Sequence, residues 1–211
     1  MGSGQLMNNN TKLWIRTLCV LIVLTAVSIP CSAALQIGIR GGYFIANGWS
    51  ETHDLIYDSP GTYSIGAEFT YQFFIPLDLT LAVDVLSASG ERVWPSEDGG
   101  FEPTGESVSY DMTPITLTAR WHFLRESILS PYVGIGVGYV QFKESGEETI
   151  DGAGFLVQAG SDVYISRYFR FFFEAEYNSY PDTIGNFGAS YYFDESDLGG
   201  IVARTGIRVV F

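Results

Sequence analysis

Taken in steps of two, most of this chain alternates between apolar and polar side chains. The C-terminal run is the clearest case. Ile201, Ala203, Thr205, Ile207, Val209 and Phe211 share one face, while Arg204, Gly206 and Arg208 share the other. Tyr63, Ile65, Ala67, Phe69, Tyr71 and Phe73 oppose Ser64, Gly66, Glu68, Thr70 and Gln72 in the same way. So do Phe169, Phe171, Phe173, Ala175 and Tyr177 against Arg170, Glu174, Glu176 and Asn178. A period of two marks a strand with two unlike faces. Eight strands are predicted, at Leu35–Ile45, Thr62–Phe73, Leu79–Ser89, Ser109–Phe123, Tyr132–Phe142, Gly152–Tyr164, Phe169–Ser179 and Gly199–Phe211. They are longer than strands of ordinary globular sheets and suit the roughly 9–11 tilted residues that carry a strand across a bilayer.

The connections alternate in length. Short turns are expected at Phe74 to Asp78, Leu124 to Pro131 and Ile165 to Tyr168, and long loops after the first, third and seventh strands. The link after the fifth is shorter but dense in acids. Short turns at one end and long loops at the other are the layout of bacterial transmembrane barrels. Phe73, Phe123, Phe169 and Phe211 fall beside the short turns, and Tyr43, Tyr63, Tyr139 and Tyr177 beside the long loops. Two aromatic girdles fit two membrane interfaces. The fold expected is therefore all-β, an eight-stranded antiparallel up-and-down transmembrane β-barrel over residues 35–211.

Residues 1–34 read as a cleaved signal peptide of Sec-type export, with Lys12 and Arg16 before an apolar stretch from Leu18 to Ile29 and small residues at Ser32-Ala33-Ala34. Cleavage is placed after Ala34, with Ala33 the alternative. Both cysteines, Cys19 and Cys31, fall within that segment, so no disulfide or thiol site is expected in the exported chain. Pro30 before Cys31 argues against a lipidation site. Removing the segment leaves 9 bases against 24 acids, a net charge of −15. That charge excludes a basic nucleic-acid-binding surface.

In a membrane barrel the polar strand faces fill the interior. They carry Arg40, Arg120, Arg170, Arg204 and Arg208, and against them Glu68, Asp84, Asp162, Glu174 and Glu176. Five against five is what a narrow interior requires, because an unpaired charge away from bulk water is costly. Glycines at 134, 136, 138, 160 and 206 leave room for the long side chains. Eight strands enclose a space that side chains can fill, so the ten residues are expected to form a structural charge network. An ion gate or conduction path is the sharper alternative.

The strand ending Gly206-Ile207-Arg208-Val209-Val210-Phe211 and the stretch Pro131-Tyr132-Val133-Gly134-Ile135-Gly136-Val137-Gly138-Tyr139 carry a family resemblance. The chain resembles the small eight-stranded outer-membrane barrels, the OmpA/OmpX/OmpW-like group, along its whole exported length. The resemblance implies the outer membrane of a Gram-negative cell, contact with its lipid and lipopolysaccharide, and a monomer. It also implies that Phe211 is the assembly signal read by the barrel-assembly machinery. A peptidoglycan-binding domain, found in some relatives, is not expected beyond Phe211.

The outer loops hold most of the remaining charge, including Glu51, Asp54, Asp58, Glu91, Glu97, Asp98, Glu102, Glu106, Asp111, Glu144, Glu147, Glu148, Asp151, Asp182, Asp194, Glu195 and Asp197. A solvated, mutually repulsive surface accounts for them. Divalent cations bridging to lipopolysaccharide phosphates are the alternative, since oxygen ligands suit Ca²⁺. Ser96-Glu97-Asp98-Gly99-Gly100 lacks EF-hand spacing, so no specific metal site is assigned. Trp49, Trp94, Phe101, Tyr180, Phe187, Tyr191 and Tyr192 are aromatic anchors for surface binding or for packing on the rim. Of the two histidines, His53 lies in the first loop and His122 faces inward at the short-turn end. Neither pairs with a serine at an outer strand end, so neither catalysis nor a cofactor is expected. The expected role is structural or surface-interacting. A narrow channel for small or hydrophobic solutes, similar to what OmpW-like members are thought to form, is the alternative, with Phe44 and Leu86 as apolar interior candidates.

Overall fold

Each alternating segment pairs antiparallel with its sequence neighbours, and the first returns to the last, so the sheet closes on itself without an edge. The computed structural model describes residues 34–73, 76–96, 100–125, 127–145, 148–184 and 188–211. The barrel strands are β1 (Ala34–Ala46), β2 (Gly61–Gln72), β3 (Leu77–Pro95), β4 (Phe101–His122), β5 (Leu129–Glu144), β6 (Ile150–Tyr164), β7 (Phe169–Ser179) and β8 (Gly200–Val210). Two short helices lie in the long connections, α1 (Ser50–Tyr57) and α2 (Gly188–Tyr192). The signal segment falls outside the described residues up to Ala33, and with it both cysteines and the cleavage choice. Glu97, Asp98, Glu147 and Phe187 also fall outside them.

The faces sort as the alternation requires. Tyr63 is 80% exposed and Ile39 69%, with Ile65, Val85, Leu117, Ile135, Phe155, Phe173 and Ile207 also exposed around the wall. The intervening residues are buried. A soluble protein of this size does not leave such a belt of aliphatic and aromatic side chains uncovered, whereas a lipid-facing wall does.

The structure corrects three sequence expectations. The long loop after the third strand is a two-stranded ribbon, because β3 runs on to Pro95 and β4 begins at Phe101. The ribbon is mostly polar and contains Gly90 and Pro103, so it shows no apolar alternation. Asp78 belongs to β3 and faces inward, not to the preceding turn. Glu144 and Asp151, assigned to a loop, lie on strand ends of β5 and β6.

Strand register explains how long charged side chains fit inside. Gly38 pairs with Glu68 on one side and Arg208 on the other. Gly66 pairs with Arg40 on one side and Asp84 on the other. In both places a glycine sits between two opposite charges, which meet over the missing side chain. A Cβ at Gly66 would lie 2.1 Å from the Asp84 carboxylate, and one at Gly38 would crowd Glu68 and Arg208 at 3.0 and 3.1 Å.

Candidate functional site

The ten predicted interior charges are all buried, and each has an opposite charge within ion-pairing distance. Arg40 on β1 donates through Nε to Asp84 at 2.8 Å, with a second short contact between the same groups, and lies 3.6 Å from both Glu68 and Glu174. Arg120 on β4 bridges Glu68 at 3.2 Å and Glu174 at 3.1 Å. Arg204 on β8 reaches Glu176 at 2.7 Å, Asp84 at 3.1 Å and Glu174 at 3.5 Å. Arg208 binds Glu68 and Asp162 closely, and its guanidinium stacks 3.7 Å over Phe172. Arg170 is the loosest member, 3.8 Å from Asp162 and hydrogen-bonded to Gln72 at 3.2 Å. Strand β5 adds no charge but supplies Tyr132, whose hydroxyl donates to Glu174 at 2.7 Å. The carboxylates are shared among arginines from different strands, so the network is continuous across the interior.

Sequence reasoning missed a second polar group at the short-turn end. Asp78 holds Arg125, which also donates to the Phe73 carbonyl at 2.7 Å. The Asp78 carboxylate lies 3.0 Å from His122 Nε2, and His122 Nδ1 is hydrogen-bonded to the Ser130 hydroxyl at 2.9 Å. These partners resemble those of a hydrolytic triad. However, Ser130 is completely buried and Arg125 already neutralises Asp78. Arg125 and Ser130 stand in a predicted turn, and no periodic signal reports a charge that folds back from a turn.

The long-loop end of the interior is apolar. Phe44, Leu86, Val108, Tyr110, Met112, Val140, Phe142, Tyr180, Leu198 and Val202 form one buried cluster with Trp49 and Tyr57. Helix α1 is the device that brings the last two in. Trp49, His53 and Tyr57 are spaced by four residues, so they share one helical face. The Trp49 ring packs edge-on against His53, Tyr110 and Phe142 at 4.9, 5.4 and 5.7 Å. That spacing of four was the available sequence signal for α1.

His53 is fully buried. Its Nδ1 lies 2.5 Å from the Ser59 carbonyl, which can only accept, so Nδ1 carries the proton and the bare Nε2 accepts from the Tyr110 hydroxyl at 3.1 Å. Burial holds His53 below its ordinary titration range, against smaller opposing effects of the Ser59 carbonyl and Asp54. The same burial, reinforced by Glu144, pushes the Tyr57 phenol far up. The helix has no side-chain cap of its own at Trp49. Instead Glu195, before β8, accepts from the Glu51 and Thr52 amides at 2.9 and 3.0 Å. A carboxylate there satisfies orphan donors and complements the helix dipole.

The loop acids are thus not uniformly a free surface. Asp197 accepts from the Ser179 hydroxyl and from the Tyr180 and Gly199 amides, and Glu91 accepts from the Gly105 amide at 2.7 Å. Among the described residues no group of three or more His, Cys, Asp or Glu is placed to hold a metal ion. The loop aromatics divide. Trp49 and Tyr180 are buried, Phe101 packs on Tyr192 and Phe193, and Trp94, Tyr191 and Tyr192 remain exposed. Phe211 is exposed at the end of β8, its amide donating to the Leu35 carbonyl at 2.8 Å.

Several solved structures share this architecture. OprG of Pseudomonas aeruginosa superposes with a TM-score of 0.53 at 13% identity, over 85% of this chain and 95% of that one. The Neisserial surface protein A gives 0.52 at 14%, over 84% and 96%. Ail of Yersinia pestis, solved in complex with the heparin analogue sucrose octasulfate, gives 0.50 at 13%, over 85% and 97%. At such identities the likeness speaks for the fold. No curated protein matches the sequence. A sequence profile of the OmpW family matches residues 60–174, more than half of the chain. The exposed apolar belt, the closed eight-stranded barrel and this match agree, and the protein belongs to the OmpW family, an integral β-barrel of the bacterial outer membrane.

Proposed function

We propose that the protein is a monomeric outer-membrane barrel with a structural or surface-interacting role, closed to solutes along its axis and without catalytic activity. The observation that carries this reading is that all ten interior charges have opposite partners. Opening a path past any one arginine separates several pairs away from bulk water, which is costly in that environment. The burial of Ser130 beside His122 supports the non-catalytic part, since no substrate carbonyl reaches that hydroxyl. Reconstituted into planar bilayers, the protein is expected to give no steady current; sustained conductance overturns the closed interior. Phe211 is the proposed signal to the barrel-assembly machinery, and deleting it is expected to leave unassembled chain in the periplasm.

A second reading is passage of small hydrophobic solutes. Its support is the apolar outer end of the interior, where Phe44 and Leu86 sit beside Val108, Met112 and Val140. Faster entry of an apolar dye into liposomes carrying the protein, without ionic current, would favour this reading.

A further inference from the structure

A groove of about 640 Å³ opens at the outer surface between the last turn of α1 and the ribbon of β3 and β4 beyond the barrel wall. Its lining includes Leu55, Ile56, Val93 and Phe101, all half-buried, with Asp58 and Glu91 exposed at its margin. The groove is built in by sequence. Gly90 lets α1 lie directly on β3, since a Cβ there would fall 1.9 Å from the Ile56 carbonyl oxygen and 2.8 Å from Tyr57 Cα. Asp58 closes α1 in the left-handed region at φ 49° and donates its amide to the Asp54 carbonyl, which turns its carboxylate-bearing residue outward at the groove. Among the described residues, β3 from Ser87 to Pro95 pairs with β4 and no longer with β2, whose pairing stops at Leu86.

We propose that this groove binds a basic, amphipathic peptide segment of another protein. The exposed parts of Leu55, Ile56, Val93 and Phe101 supply apolar contact within a lining that also carries Ser89 and Ser107, and the margin chooses the charge. Asp54 and Glu102 are also exposed on α1 and on the ribbon. Arg92, on the same stretch of β3, lies 3.6 Å from Glu106 and 3.4 Å from the Ser145 carbonyl, so its charge is already engaged. Acids around a floor of mixed polar and apolar groups attract an incoming cation and repel an anion before contact. The proposal gives a partner class to the surface role above, yet rests on the groove and not on the closed interior, so conductance through the barrel would leave it standing.

The test uses the protein in phosphatidylcholine nanodiscs and a fluorescent amphipathic Lys/Leu peptide, with the Glu/Leu peptide of the same pattern as comparison. The Lys/Leu peptide is expected to bind at least tenfold more tightly. Leu55→Ser and Phe101→Ser are each expected to weaken it about tenfold, the loss of one well-buried apolar contact. Asp58→Asn combined with Glu91→Gln keeps the left-handed cap and the acceptor for Gly105, and should cost several-fold at low salt and little at high salt. Glu148→Gln with Asp151→Asn, away from the groove, should bind as the parent does. Photo-crosslinking of the peptide to the unaltered protein should map to residues 55–58, 89–93 and 101–107, which keeps the test decisive if a variant fails to fold. Equal binding of both peptides, equal loss from the distant acids, or crosslinks elsewhere would each overturn the proposal.

Discussion

Toward the short turns the barrel interior is made of arginines and carboxylates carried by strands; toward the long loops it is made of aromatic and aliphatic side chains, some of them delivered by a helix. The charged part is tied to the wall at every point, since each partner projects from a paired strand and the register sets who meets whom. The apolar part depends on α1, a short helix between β1 and β2 whose first amides are held by Glu195 from the far side of the chain. Eight residues are too few to form a stable helix in isolation. The charged end is therefore expected to share the stability of the whole barrel, and α1 at the apolar end to open locally without it.

Four substitutions or conditions probe that contrast. The largest effect is expected from Glu68→Ala. It leaves Arg40, Arg120 and Arg208 short of a shared partner, and breaking a buried pair costs about 3–5 kcal/mol. The urea midpoint of barrel unfolding in vesicles should fall accordingly; a change of less than about 1 kcal/mol would show that the charges are not coupled to the wall. Trp49→Ala removes the hub of the apolar end, where loss of a large buried aromatic costs about 3 kcal/mol or more. Here the loss should stay local. Protease cleavage within residues 48–58 should accelerate while heat-modifiable migration on cold gels is unchanged, and a matching drop in barrel stability would erase the distinction.

Glu195→Ala takes away the remote cap of α1, worth about 1 kcal/mol by analogy with ordinary N-caps. Hydrogen exchange at the Glu51 and Thr52 amides should quicken, with strand amides unaffected. The smallest effect near neutrality is that of pH. His53 is held neutral by burial, so its folded-state pKa lies below the ordinary value of 6.5. Between those two values the opened state binds the proton that the packed state refuses, so stability of α1 is intact above pH 6.5 and falls as pH drops below it. Protection of the α1 amides, taken as the exchange rate relative to the intrinsic rate at each pH, should fall on acidification in the parent protein and stay constant in His53→Gln. A pH response that survives the substitution would assign it to another group.

Much of the wall could be read directly from the chain. Strand limits came within a few residues except where β3 and β4 continue as the ribbon, because a bilayer-facing strand must alternate and the ribbon need not. The inward placement of Arg40, Glu68, Asp84 and the other seven charges follows from the same period of two. Arg125 escaped because a residue folding in from a turn has no periodic neighbour to betray it, and Asp78 and Ser130 because β3 and β5 begin earlier than the strand limits drawn at Leu79 and Tyr132. Helix α1 escaped because Trp49, His53 and Tyr57 are three isolated positions in a polar stretch, and their shared face has meaning only when a cavity waits for it.

The amino-acid sequence by itself determined the all-β class, the number of strands, which face meets lipid and which residues turn inward, since each depends on neighbours one or two positions away. Which arginine holds which carboxylate, how Trp49 comes to lie against Phe142 and why Glu195 caps a helix 144 residues earlier were decided by tertiary structure. Those contacts depend on barrel closure and strand register, which set distances between residues far apart in the chain and leave no trace in local periodicity.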